Sequence, residues 1–161
     1  MALVDSSPVA GYSQRIRSLY AYWRGIHPPE GLPGRQHFDP VDIPDLLPFI
    51  WLLEIHRNPL RLRYRVAGTS IVEVLQRELT GRWVHEVFPH FLPGTELYED
   101  YCELIARAVP VPRRGNPFLP HQADFTQRER LLLPLARDGR AVDMALGINV
   151  YFRANGQEVL K

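Results

Sequence analysis

The chain has 161 residues, of which 45% are hydrophobic and 23% charged, the size and composition of one globular domain. Its net charge of +1 at pH 7 argues against nucleic-acid binding through bulk charge, which requires a concentrated excess of basic residues. No apolar run approaches the roughly 20 residues of a membrane span. The single cysteine, Cys102, cannot form an internal disulfide. The first residues lack the pattern of a signal peptide. We therefore expect a cytoplasmic protein whose partners include neither nucleic acid nor membrane.

An amphipathic helix is the first predicted element, after residues 1–11, which are small and polar and predicted to be disordered. Apolar side chains recur at helical spacing from Tyr12 to Arg24, and Gly25 is expected to end the helix. This wide apolar stripe must be covered either by the chain's own sheet or by a second copy of the chain, and the sequence leaves both possibilities open. In the second case it is the interface of a homodimer, formed by Tyr12, Ile16, Leu19, Tyr20 and Trp23.

A helical lead-in follows, so that residues 12–48 comprise the N-terminal helix and this segment. Asp39 precedes Pro40, the pattern of an N-cap followed by proline at the first helical position. Asp39, Asp42 and Asp45 could instead form a metal or acid–base cluster, but capping explains the first two and is the preferred interpretation. The main domain is then expected at 49–153, with a loose tail at 154–161.

A hairpin is predicted from Phe49–Ile55 and Leu60–Val66. The second strand alternates apolar residues with Arg61, Arg63 and Arg65, so one face is expected to be buried and the other polar. The arginine face is either solvated and ion-paired, for example with Glu54 across the hairpin, or it binds an anionic group or a partner carboxylate.

Helices are predicted between this hairpin and the end of the chain. Ser70 and Glu73 have the spacing of a capping box, which predicts a short helix from Ser70 to about Arg77. A longer amphipathic helix is predicted from Thr95 to Ala108, with acidic residues near its start.

The last strands follow the longer helix. The proline-broken segment Val109–Leu119 is expected to be extended, at most as an edge strand. A second hairpin is predicted from Phe125–Leu135 and from Val142 to Phe152, with an Asp-Gly turn between them and a bulge or strand end at Pro134. Arg130 and Asp143 are hypothesised to pair across it.

The order of these elements, with helices between two hairpins, resembles that of a PAS domain. Several segments, taken in order from about Leu19 to Val150, resemble the stand-alone PAS-like proteins of alphaproteobacteria. This resemblance implies an α+β fold, with a five-stranded antiparallel sheet and helices on one face, preceded by the N-terminal helix. It also implies a sensory or regulatory module, usually dimeric, that binds a small ligand or a protein partner such as a signalling protein. The segments are Leu19-Tyr20-Ala21-Tyr22-Trp23, Phe38 to Pro48, Tyr64 to Thr69, Leu79-Thr80-Gly81-Arg82-Trp83, Glu129 to Leu135 and Asp138 to Met144.

The resemblance places a pocket between the helices and the sheet. Its aromatic walls could simply fill the core, since buried aromatic rings need no ligand to explain them. If a ligand binds, the expected contacts are Tyr64, Arg65, Thr69, Arg82, Trp83 and Tyr101.

Two cofactors found in PAS domains are not expected. A flavin photoreceptor carries its cysteine in an Asn-Cys-Arg type motif, whereas Cys102 lies in Tyr-Cys-Glu. Haem requires an axial histidine, and only His85 is near the right place. No catalytic motif or metal-ligand spacing is present in the sequence. The alternative function is a small-molecule enzyme of an α+β cone fold, in which Glu73 or Glu86 acts with His85, and it requires His85 to point into a cavity.

Overall fold

The computed structural model describes residues 7–117, 119 and 124–159. Within them, five strands form one antiparallel sheet, and the predicted α+β architecture is confirmed. The strand order across the sheet is β2-β1-β5-β4-β3. The strands are β1 (Ile50–His56), β2 (Arg61–Ala67), β3 (Val111–Gly115), β4 (Phe125–Leu135) and β5 (Met144–Arg153).

Helices cover both faces of this sheet. One face packs on the first helix and the lead-in, and the other packs on the helices inserted between the two hairpins. No helix in the described ranges combines the length and the apolar character needed to cross a membrane. The helices are α1 (Gln14–Gly25), α2 (Thr69–Leu75), α3 (Val84–Val87) and α4 (Glu96–Arg107), and the lead-in has 3-10 turns at Arg35–His37, Pro40–Asp42 and Leu47–Phe49.

The apolar stripe of α1 packs on the chain's own sheet. Ile16, Leu19 and Trp23 are buried in the same core as the inward-facing residues of β4 and β5, and the Trp23 indole donates a hydrogen bond of 3.0 Å to the Pro134 carbonyl. Burying each such side chain contributes about 1.5–3 kcal/mol. These three residues are therefore not an exposed dimer interface, while Tyr12 and Tyr20 at the margins of the stripe stay half-buried.

Both described ends of the chain pack on the domain. Val9 is buried in the α1 core, although residues 7–11 fall within the range predicted to be disordered. Near the other end, Val159 is buried and Glu158 forms an ion pair of 2.9 Å with Arg15 of α1. The described part of the predicted tail is thus held in place, and residues 1–6 and 160–161 lie outside the described residues.

The start of α2 differs from the predicted capping box. Gly68 is the N-cap, and Ser70 lies inside the helix, where it is buried. A Cβ atom at Gly68 would lie 2.3 Å from the carbonyl oxygen of Leu47. Only glycine therefore permits this approach between the helix start and the lead-in, and that packing sets where α2 begins.

The second hairpin has a longer connection than the Asp-Gly signal suggests. Leu135 pairs with Met144, so residues 136–143 form the loop, with Gly139 at φ +82° inside it. Pro134 stays within β4. The ladder with β3 reaches only to Leu132, so the missing N–H of Pro134 lies beyond that pairing.

Candidate functional site

A cavity of about 280 Å³ lies between the sheet and helices α2, α3 and α4. It has the position of a small-molecule site, and its volume is just below the usual range of about 300–1,000 Å³. Most of its wall is apolar or aromatic, because the inward faces of α2 and α4 are apolar at helical spacing. The aromatic side chains in the wall are Trp51, Tyr64, Phe88, Tyr101 and Tyr151.

Strands β4 and β5 supply the inner polar part of the wall, whereas the polar residues of its more exposed rim are His90, Thr95, Glu96 and Asn116. Alternate residues of a strand share a face, so Arg128 and Arg130 of β4 both face the cavity while Glu129 between them faces α1, where it accepts a hydrogen bond from the Ser13 backbone N–H. The neighbouring strand adds Asn149, which pairs in register with Arg130. Two guanidinium groups and one amide thus meet at one wall.

Arg130 is held by a buried carboxylate. Its guanidinium donates a hydrogen bond to Asp100 of α4, and the two side chains are 4% and 1% exposed. Asp100 also accepts a 2.9 Å hydrogen bond from Arg113 of β3, so one carboxylate is shared by two arginines. The hypothesised pairing of Arg130 with Asp143 is wrong, because the register places Arg130 opposite Asn149.

The positive charge of Arg128 is less well compensated than that of Arg130. Its Nη2 atom lies 3.8 Å from Oε1 of Glu96, whose side chain is 63% exposed, whereas that of Arg128 is only 15% exposed. Burial, and after it the positive charge of Arg130, lower the pKa of Arg128. Among the described residues and within hydrogen-bond distance, the buried Nε atoms of Arg128 and Arg130 have no acceptor.

The amide, phenol and indole groups beside the two arginines are neutral. Asn149 Nδ2 donates to the Tyr151 hydroxyl at 3.0 Å, and its buried Oδ1 has no donor among the described residues. The Trp51 indole N–H lies 3.4 Å from the Tyr101 hydroxyl. Burial raises the pKa of Tyr101 to about 12 and also raises the pKa of Tyr151, so both phenols are protonated at neutral pH and can donate hydrogen bonds.

The residues predicted as ligand contacts divide into two groups. Tyr64 and Tyr101 line the cavity. Thr69 lines a separate groove beside the lead-in, Arg65 pairs with Glu54 on the surface, and exposed Arg82 donates from its Nε to the Glu78 carbonyl. These last three residues point away from the cavity because they lie on the outer face of β2, at the first residue of α2 or in an exposed turn.

Trp83 lies outside the cavity at the edge of β2. Its ring contacts the guanidinium of Arg61, with 4.7 Å from Cζ to the ring centroid, and stacks on exposed His85 with centroids 6.0 Å apart. The Glu/His enzyme alternative requires His85 to point into a cavity, and that geometry is not observed. The predicted pairing of Glu54 is confirmed by Arg63, whose Nη2 lies 2.8 Å from its carboxylate.

Sequence reasoning missed the inner polar residues of the wall, which are Arg128, Arg130, Asn149 and Tyr151, and the buried Asp100 that holds Arg130. One signal was available, since arginines two positions apart in one strand share a face, and the strand continues into the buried apolar run from Leu131 to Leu135. Their partners come from α4 and β5, and the sequence does not show those contacts. No group of three or more His, Cys, Asp or Glu residues among the described ones is placed to hold a metal ion.

Comparison with protein families gives a match to the PAS domain over residues 12–150. That range begins just before α1 and includes all five strands of the described sheet except the last residues of β5. No curated protein and no solved structure matches the chain. Because the match spans most of the sequence and the fold agrees with it, the chain belongs to the PAS domain family.

Proposed function

We propose that this protein is a sensory or regulatory module that binds a small molecule in the cavity between the sheet and helices α2 to α4. Membership of the PAS family suggests the sensory role. The observation that supports binding is the set of buried polar atoms in the wall, on Arg128, Arg130 and Asn149, that have no partner in the part of the chain that the structure describes. Buried polar groups nearly always have a hydrogen-bond partner, and a bound molecule would supply one.

Native mass spectrometry of the protein purified from its own host tests this proposal. A small-molecule mass that is reproducibly present, and is lost on denaturation, is the expected result. An absorption spectrum of the same sample shows whether the molecule is coloured. Preparations that carry no such mass count against the proposal.

A cavity-filling variant sharpens the test. Leu75→Trp adds a large ring at a wall residue of α2 and should remove the bound mass while circular dichroism shows a folded protein. The matched control is Val41→Trp, because Val41 is exposed in the lead-in. The control should retain the mass, and retention by Leu75→Trp as well would locate the molecule elsewhere.

We also propose that the module forms a homodimer and passes its signal to an unidentified signalling protein. The support is the resemblance to PAS domains, which are usually dimeric. Since α1 covers its own sheet with Ile16, Leu19 and Trp23, we propose that the dimer buries a surface other than these three side chains. Light scattering coupled to size-exclusion chromatography should give twice the monomer mass, and a strictly monomeric protein would contradict this part.

A further inference from the structure

We propose that the ligand is an organic monocarboxylate, with its carboxylate against Arg128 and Arg130 and its apolar body between the aromatic walls. This inference rests on the proposed function, because it assigns the chemical class of the molecule in the same cavity. It follows from the charge balance of the wall, from the unpaired donors there and from the shape of the apolar part.

The charge balance of the wall indicates the sign of the ligand's charge. Inside the wall, Arg128 and Arg130 face one buried carboxylate, that of Asp100, and Asp100 also pairs with Arg113. Glu96 lies at the rim and is mostly exposed, so water screens its charge. Within residues 7–117, 119 and 124–159, about one positive charge is left without a buried partner, and a single negative charge would compensate it.

The unpaired N–H donors of the two arginines indicate the shape of the anion that binds. The Nε atoms of Arg128 and Arg130 are buried and lack an acceptor among the described residues, and Arg130 is 4% exposed. A guanidinium presents its N–H groups as a planar fork that suits a carboxylate. Arginine therefore selects a planar anion here.

The side-chain amide of Asn149 can donate a hydrogen bond to such an anion. Its Oδ1 is buried without a donor, while Nδ2 contacts the Tyr151 hydroxyl. Exchanging the two amide atoms would let Oδ1 accept from the Tyr151 hydroxyl and would leave the NH₂ group as a donor for the ligand. The amide can therefore add a third donor to the two arginines.

The volume and the apolar lining of the cavity indicate the size and the polarity of the rest of the ligand. Its volume of about 280 Å³ equals roughly nine water molecules at about 30 Å³ each, so a ligand of about ten non-hydrogen atoms fits. Rings of Trp51 and Tyr64 on the sheet and of Tyr101 on α4 line the same cavity. This favours an apolar or aromatic body over an inorganic anion or a sugar phosphate.

The experiment compares phenylacetate with phenylacetamide, which has the same size and no charge, by isothermal titration calorimetry at pH 7. Octanoate and octanamide form a second pair with a flexible body. We expect at least one carboxylate to bind about tenfold more tightly than its amide. Arg128→Met should weaken carboxylate binding by about tenfold or more and leave amide binding unchanged.

Two further variants separate charge from folding. Glu96→Gln removes the rim charge and should tighten carboxylate binding by about two- to fivefold. Arg107→Met makes the same change as Arg128→Met at an exposed position of α4 and should leave binding unchanged. A variant that loses its fold would lose amide and carboxylate binding together, which circular dichroism would reveal.

Each outcome decides the inference. Equal or tighter binding of the amides, no binding of either carboxylate, or unchanged carboxylate binding by Arg128→Met would overturn it. If native mass spectrometry then still finds a molecule lost from Leu75→Trp, the proposed function stands and only the ligand class is wrong. If no such molecule is found, the proposed function fails as well.

Discussion

Arg130 of β4 and Asp100 of α4 form an ion pair whose two side chains are almost entirely buried. Breaking such a pair leaves a charge without compensation in a poorly solvated place. We expect Arg130→Met to lower the free energy of unfolding by about 2–4 kcal/mol, the lower end reflecting that Arg113 still pairs with Asp100. Urea denaturation measures the change.

The double variant Arg130→Met/Asp100→Leu is the control for this pair. It removes both charges, so it should recover much of the stability lost in the single variant. If Arg130→Met is as stable as the parent protein, the pair contributes nothing to the fold.

Replacing Arg128 should not lower the free energy of unfolding, in contrast to replacing Arg130. Its burial and the nearby charge of Arg130 disfavour its positive charge, and its contact with Glu96 is long and solvent-exposed. Arg128→Met should therefore leave the free energy of unfolding unchanged or raise it by up to about 1 kcal/mol. Urea denaturation without ligand measures this, and a loss of several kcal/mol would mean that Arg128 has a structural role.

The fold was largely predictable because it depends on local periodicity. Strands β1, β2 and β4 and helix α4 lie within a residue of their predicted limits, since alternation and helical spacing are properties of the sequence itself. The predicted capping residue of α2, Ser70, was wrong, because the N-cap is Gly68 and its close approach to Leu47 is a tertiary contact. Local hydrogen-bonding patterns at Ser70 did not contain that information.

The cavity wall was harder to predict because it combines distant elements. Tyr64 and Tyr101 were found from their positions on inward faces, but Arg130 and Asn149 meet only because β4 pairs with β5 in a register set by the loop at 136–143. An Asp-Gly signal predicts a tighter turn than this. Each residue of error in a hairpin connection changes which cross-strand residues meet.

Gly147 allows Trp51 to lie flat on the sheet beside the cavity. A Cβ atom at Gly147 would come within 2.2 Å of the Trp51 ring. Gly147→Ala should therefore destabilise the protein by about 1–3 kcal/mol through overpacking and should change the near-ultraviolet circular dichroism of the indole. Gly25→Ala, where a Cβ atom meets open space, is the matched control and should not lower stability.

Packing of α1 on its own sheet gives a further prediction. Leu19 is fully buried in that core, so Leu19→Ala should lower the free energy of unfolding by about 2–5 kcal/mol, measured by thermal or urea denaturation at several protein concentrations. The same substitution at Leu92, which is 57% exposed, should have little effect. If Leu19→Ala is as stable as the parent protein at every concentration, α1 does not pack on the sheet as described.

Glu54 should make part of the stability depend on pH. Its partial burial opposes ionisation, but hydrogen bonds from Arg63 and His56 and the charges of Arg63 and Arg65 outweigh this and lower its pKa below the ordinary value of 4.5. A lowered folded-state pKa means that the contribution is complete above about pH 4.5 and is lost as the pH falls through the folded-state pKa. The stabilisation at pH 7 is expected to be about 0.5–1 kcal/mol, as for partly exposed ion pairs.

Glu54→Gln tests this expectation, because it keeps the shape of the side chain and removes the charge. The difference in unfolding free energy between the parent protein and this variant should be largest near pH 7 and should shrink below pH 4.5. Arg63→Met, combined with Glu54→Gln in a double-mutant cycle, should show coupling at pH 7 that disappears in acid. A difference that stays constant from pH 7 to pH 3 would mean that the Glu54 charge does not contribute, and that its effect comes from packing alone.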